Sequence, residues 1–194
     1  MSVMILGLVI FLGVHSVRIV ADDWRRAQIA RVGELAWKGG YSLVSLVGLA
    51  LAIWGFGQMR LDPAVVWFPP LGLRHAVALL MLPAMILLVA AYVPGNAIRA
   101  RLGHPMLLAV KLWAFAHLLA NGRLGDIVFF GAFLAWAIVA FAAARRRDRA
   151  AGLAAPASRL PATLVTLAIG LVAYYLFAMH LHGWIIGVPA IAMG

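Results

Sequence analysis

Apolar residues fall in six long runs, at roughly 2–24, 40–57, 74–93, 103–122, 124–144 and 161–182, separated by shorter stretches that hold nearly all the charge. About 20 apolar residues in a helix cross the ~30 Å of hydrocarbon in a bilayer. Each run has about that length, so the pattern predicts six membrane helices in an all-α polytopic bundle. Val65-Val66-Trp67-Phe68 is too short to span and runs into Pro69-Pro70, which predicts an interfacial loop. Residues 184–194 are apolar but short and read as a surface segment. The second run carries Tyr41, Ser45, Gly48, Ala52 and Gly55 at spacings of four and three. Such a seam of mostly small residues lets another backbone approach closely. Pro83, inside the third run, frees the carbonyl of Leu79 and predicts a kink. The chain reads as a five-helix bundle over residues 1–150, followed by an additional transmembrane helix and short tail over 151–194.

Composition closes off other classes. The chain is 65% hydrophobic and 11% charged, with mean hydropathy +1.02. Soluble domains carry about 45–50% apolar and about 25% charged residues, so a soluble fold is excluded. The formal charge of +10 would point to nucleic acid in a soluble chain. Here the basic residues lie between apolar runs, where anionic lipid headgroups and the topology signal account for them. The connections after the first, third and fifth runs hold Arg18, Arg25, Arg26, Arg31, Lys38, Arg99, Arg101, Arg145, Arg146, Arg147, Arg149 and Arg159. Those after the second and fourth hold Arg60, Arg74 and Arg123, and Lys111 lies inside the fourth run. The positive-inside bias then predicts both termini on the periplasmic side of a bacterial inner membrane. Residues 22–38 read as an amphipathic stretch on the cytoplasmic surface. Met1 to Val14 lacks a basic lead, and reads as a retained helix rather than a cleaved signal.

The chemistry within the bilayer is narrow. All six carboxylates, Asp22, Asp23, Glu34, Asp62, Asp126 and Asp148, fall at run ends or in connections. A proton-coupled transporter usually has one at mid-membrane, so this reading is disfavoured. Cysteine is absent, which excludes thiolate zinc sites, iron–sulfur clusters and covalent haem attachment. Histidine remains, and neutral imidazole is a strong metal ligand that can be buried uncharged. His15 lies in the first run, His117 in the fourth and His180 near the end of the sixth; His75 and His104 open the third and fourth, and His182 lies near an interface. Imidazoles on facing helices can hold a planar macrocycle, and b-type haem is the cofactor this set predicts. His104 and His117 are ~20 Å apart along one helix and cannot both ligate one iron. The expected ligands are His15 and His117, with His180 as the alternative. Arg18 shares a face with His15 and Asp22, and can meet a haem carboxylate or pair with Asp22. Met106, Val110, Trp113, His117 and Asn121 share a second face, while Lys111 goes with His104 and Leu118. Arg18, Lys111, Trp113 and Asn121 are therefore the further candidate cofactor contacts.

An ordered set of motifs adds to this reading. His15-Ser16-Val17-Arg18, Trp24-Arg25, Gly33-Glu34, Trp37-Lys38, Tyr41-Ser42-Leu43 and Trp54-Gly55-Phe56-Gly57 are followed by Pro69-Pro70, Arg74-His75, His104-Pro105-Met106, Val110-Lys111-Leu112-Trp113-Ala114 and Ala116-His117-Leu118-Leu119-Ala120-Asn121-Gly122. Over about residues 1–150 this set resembles the NnrU family. The resemblance implies a part in nitrite and nitric oxide metabolism of denitrifying bacteria. The family is also similar to the plant and cyanobacterial 15-cis-ζ-carotene isomerase, an integral membrane enzyme with histidine-ligated b-type haem. In that relative, reduction frees an axial position and ferrous iron promotes the cis-to-trans change. Its two histidine motifs match at His15 and His117. The resemblance thus implies a membrane b-type haem protein, redox- or nitric-oxide-responsive. The alternatives are a haem-dependent cis-trans isomerase of a polyene or another long apolar substrate, and a non-enzymatic accessory membrane protein.

Overall fold

A computed structural model describes residues 1–190 except Leu71, and the side chain of Arg74 also lies outside the described set. The end of the predicted surface segment, 191–194, is therefore outside the described residues. The helices are α1 (Ser2–Val20), α2 (Asp22–Val32), α3 (Glu34–Met59), α4 (Leu73–Ala90), α5 (Ala97–Leu102), α6 (Pro105–Ala120), α7 (Leu124–Ala150), α8 (Leu160–Leu176) and α9 (His182–Ile186). A π-helical turn, Phe177–Leu181, joins α8 to α9. Four stretches are long and apolar enough to cross a membrane: Ser2–Val20, Glu34–Met59, Leu124–Ala150 and Leu160–Ile186. The apolar helices His75–Ala90 and Pro105–Ala120 are shorter, and they make up the approximate six. Among the described residues the one β feature is an isolated bridge between Val65 and Arg123.

Two predicted boundaries move for local reasons. The first run breaks at Ala21 (φ −143°), and Asp22 and Asp23 open the separate helix α2, where acidic side chains complement the helix N-terminus. Gly33, at φ 85°, turns the chain into α3; that backbone conformation is costly for any residue with a Cβ. At the other boundary, α7 does not stop at residue 144 but runs through Arg145–Arg149 to Ala150. Arginine is a good helix former, and its charge complements a helix C-terminus.

The chain divides into two compact units, residues 1–67 with 122–136, and residues 68–121 with 137 onward. In the first unit α1 lies along α3, antiparallel to it. Gly48, Ala52 and Gly55 of the predicted seam are buried, as are Met4, Gly7 and Leu8 on α1. The backbones nearly touch. A Cβ on Gly48 would lie 2.7 Å from Phe11 N, while one on Gly7 or Gly55 would run into Ala52 N or Met4 N. Lipid tails are as apolar as the helices, so this close packing, not burial from water, holds the pair. The interfacial loop is pinned when Val66 N and Trp67 N donate to the Gly122 carbonyl at 2.8 and 3.2 Å.

In the second unit α4 packs against α6 and α8. Gly170 of α8 is buried against α4, where an added Cβ would lie 3.0 Å from Ile86 Cα. Tyr174 Oη–H donates to the Ala78 carbonyl at 3.0 Å. Asn96, 1% exposed, accepts from Arg99 N (2.7 Å) and donates to the Ala90 carbonyl (2.9 Å), so the buried amide is satisfied. The C-terminal helix, expected as an addition to the bundle, packs within this unit.

Candidate functional site: two histidine-lined cavities

In the first unit, Val14, His15, Val17 and Arg18 of α1 face Glu34, Trp37, Lys38 and Tyr41 of α3 across a cavity of about 490 Å³, with Arg25 and Ile29 of α2 completing the wall. Residues 34, 37, 38 and 41 recur at helical spacing, so α3 presents one face to it. The His15 ring lies 4.3 Å from that of Phe11, 5.2 Å from Tyr41 and 5.9 Å, edge-on, from Trp136 (centroid distances). His15 Nδ1–H donates to the Phe11 carbonyl at 2.7 Å. A carbonyl only accepts, so the proton is on Nδ1 and the lone pair on Nε2. This is the tautomer, and the carbonyl partner, typical of a metal-ligating imidazole. Beside it, the Trp136 indole N–H is buried with no hydrogen-bond partner among the described residues. Such a donor costs ~1–3 kcal/mol while unpaired.

Cations gather at the α2 end. Arg25 Nη1 is 3.4 Å from Asp22 Oδ1, and Lys38 Nζ is 2.7 Å from Glu34 Oε1. Arg26 Nη2 lies 2.7 Å from Asp22 Oδ2. Asp22 stands outside the spans, and the Arg26 hydrogen bond holds its carboxyl below the usual aspartate value; slight burial opposes this, and the charges of Arg26, Arg25 and Arg18 reinforce it.

In the second unit α6 positions Trp113, His117 and Asn121. His117 Nδ1–H donates to the Trp113 carbonyl at 2.8 Å, again fixing the lone pair on Nε2. Asn121 Nδ2–H donates to the His117 carbonyl at 2.9 Å. His117 and Asn121 line a cavity of about 290 Å³ with Met81 and Met85 of α4, Tyr174 and Phe177. Trp113 acts on this cavity through its carbonyl, and its ring lies 5.3 Å from that of His117.

The histidine that shares this cavity is His182, while the His180 ring packs 6.0 Å from Tyr175. Residues five apart in a regular α-helix lie ~140° apart around the axis. The π-turn bonds His182 N–H to the Phe177 carbonyl instead, and sets the two rings edge-on 5.8 Å apart. His182 Nδ1–H donates to the Val188 carbonyl at 2.6 Å. Nothing in residues 177–181 announces this turn, and the sequence reading therefore weights His180 above His182.

Lys111 and His104 share a face, as read from spacing. Lys111 Nζ sits 4.7 Å above the Phe141 ring, and His104 Nε2–H donates to Asp148 Oδ2 at 2.9 Å. Lys111 lines neither cavity. Arg18, by contrast, lines the cavity of His15.

Among the described residues no three His, Asp or Glu side chains stand together as a site for a bare metal ion. A macrocycle brings its own in-plane donors and asks the protein only for imidazole. The fold defines a polytopic helical membrane protein, and histidines line both cavities. The family model described as NnrU protein matches residues 3–190, and the chain belongs to that family. The match extends through the C-terminal helices, beyond the motifs legible in the sequence. No curated protein and no solved structure matches the chain.

Proposed function

We propose that this NnrU-family membrane protein binds b-type haem through histidine, with His15 and His117 as the ligands, and serves redox or nitric-oxide-responsive chemistry in nitrogen-oxide metabolism. One observation carries the reading: each imidazole lines a cavity and is held through Nδ1–H by the carbonyl four residues back, so that in the neutral ring the lone pair is on Nε2. The donor set fits the group, since the chain has no thiolate and the buried Trp136 N–H beside His15 wants an acceptor. When bound, haem would supply a redox-active iron able to take a small ligand such as nitric oxide. The chain's own part is to hold the imidazoles in one tautomer, exclude water with Phe11, Tyr41 and Trp136, and keep the cofactor in the inner membrane with both termini periplasmic.

The apolar wall beside His117, from Met81, Met85 and Phe177, favours as a second reading an apolar substrate such as a polyene, isomerised by the same cofactor. Protein purified from haem-replete cells is expected to show a Soret band that shifts with dithionite and again with nitric oxide. Purification without haem rejects both readings and leaves the accessory protein. Feeding 9,15,9′-tri-cis-ζ-carotene under reducing conditions separates the two, because an unchanged isomer profile removes the isomerase.

A further inference from the structure

The cavity of His15 is graded along its length. Tyr41 stands beside His15 at the inner end. Three residues on, ~4.5 Å of helix rise toward α2, α1 supplies Arg18; α3, running the opposite way, supplies Lys38 at ~4.5 Å and Trp37 at ~6 Å of rise from Tyr41. Arg25 and Ile29 of α2 close that end. The wall thus carries an imidazole and aromatic rings within and cations outside. Its charge is also specific: Arg18, Arg25 and Lys38 against Glu34 leave a net of two positive charges. The pairs that Lys38 and Arg25 make leave room for a further anion. Lys38 and Glu34 are 67% and 69% exposed, and so exposed a pair contributes little. Arg25 meets Asp22 at only 3.4 Å.

We propose that Arg18, Arg25 and Lys38 bind the two carboxylates of the porphyrin that His15 would hold. The assignment rests on the haem reading above. It replaces Lys111, which lies over Phe141 instead, and adds Arg25 and Lys38 to the cofactor contacts. A planar amphiphile with two acidic groups on one edge matches both the gradient and the charge. Bonds from guanidinium or ammonium to carboxylate are the strong, charge-assisted kind.

The test compares ferric protoporphyrin IX with its dimethyl ester, titrated into the full-length, haem-stripped protein in detergent. Wild type is expected to bind the diacid about tenfold or more tightly than the diester, the factor one charge-assisted bond supplies. In the Arg25→Gln/Lys38→Gln double variant, which keeps Arg18, that preference should fall severalfold, with the Soret position kept because His15 is intact. Arg149→Gln, at a residue that does not line the cavity, should keep the full preference. Equal binding of diacid and diester by wild type overturns the proposal without any variant having to fold, as does an undiminished preference in the double variant. Failure to bind either porphyrin overturns the haem reading, and this assignment with it.

Discussion

At the residue scale, the chemistry rests on hydrogen bonds that settle a tautomer. The sequence singles out His15 and His117 because imidazole inside an apolar run needs a partner and the chain has no thiolate. Which nitrogen presents its lone pair was not legible, since that depends on rotamer. The i−4 carbonyl settles it in both cases. Trp136 was missed altogether; a tryptophan in an apolar run reads as ordinary membrane composition, and only packing reveals its N–H as buried and unpaired. Trp136→Phe keeps the ring against His15 and removes that N–H. The haem-free variant should be more stable than wild type by ~1 kcal/mol in denaturant unfolding, while the haem-loaded form gains nothing. The Asp22 cluster predicts a pH response of definite sign. Its folded pKa is depressed, so its contribution is present above the ordinary aspartate value and is lost as pH falls through the depressed one. Asp22→Asn should abolish that acid-side step in thermal melts, and because the pair is exposed the step should be small.

At the element scale, the small-residue seam of α3 was the best-read feature. Spacing alone picked out Gly48, Ala52 and Gly55, and all three are buried against α1. The physical reason is that only side chains of this size permit the backbone contact. The seam also sets the site, because Gly48 packs on Phe11 and the Phe11 carbonyl holds His15. Gly48→Leu should therefore destabilise the protein by ~1–3 kcal/mol in detergent unfolding and lower haem retention together with it. The π-turn at 177–181 is the opposite case. It depends on one hydrogen bond reaching five residues back instead of four, a choice made by packing, and it moves His182 rather than His180 to the cavity. The break at Ala21 escapes the hydropathy pattern, which carries the first run through Asp22 and Asp23 to Trp24, whereas these two carboxylates open a new helix.

At the scale of the whole molecule, hydropathy and charge placement carry most of the information. Both properties add over many residues, and so they survive local errors in boundaries. The six apolar helices and the family were readable for that reason. The shortness of α4 and α6, and the division into two units, depend on tertiary contacts that no periodicity encodes. Topology gives the prediction at this scale. An alkaline-phosphatase-type reporter fused at either terminus should be active, and one inserted after Gly152, behind the Arg145–Arg149 run, should be silent. Replacing Arg145, Arg146, Arg147 and Arg149 with glutamine should blur that contrast.

The central claim is histidine-held haem, and the haem-to-protein ratio tests it most directly. It is read from the Soret absorbance of wild type, His15→Ala and His117→Ala, purified side by side with helicity checked by circular dichroism. The account predicts stoichiometric haem in wild type and a ratio at least about tenfold lower in each variant at unchanged helicity, the loss expected when a ligand or its support is removed. Full haem content in both variants, or none in wild type, would contradict it.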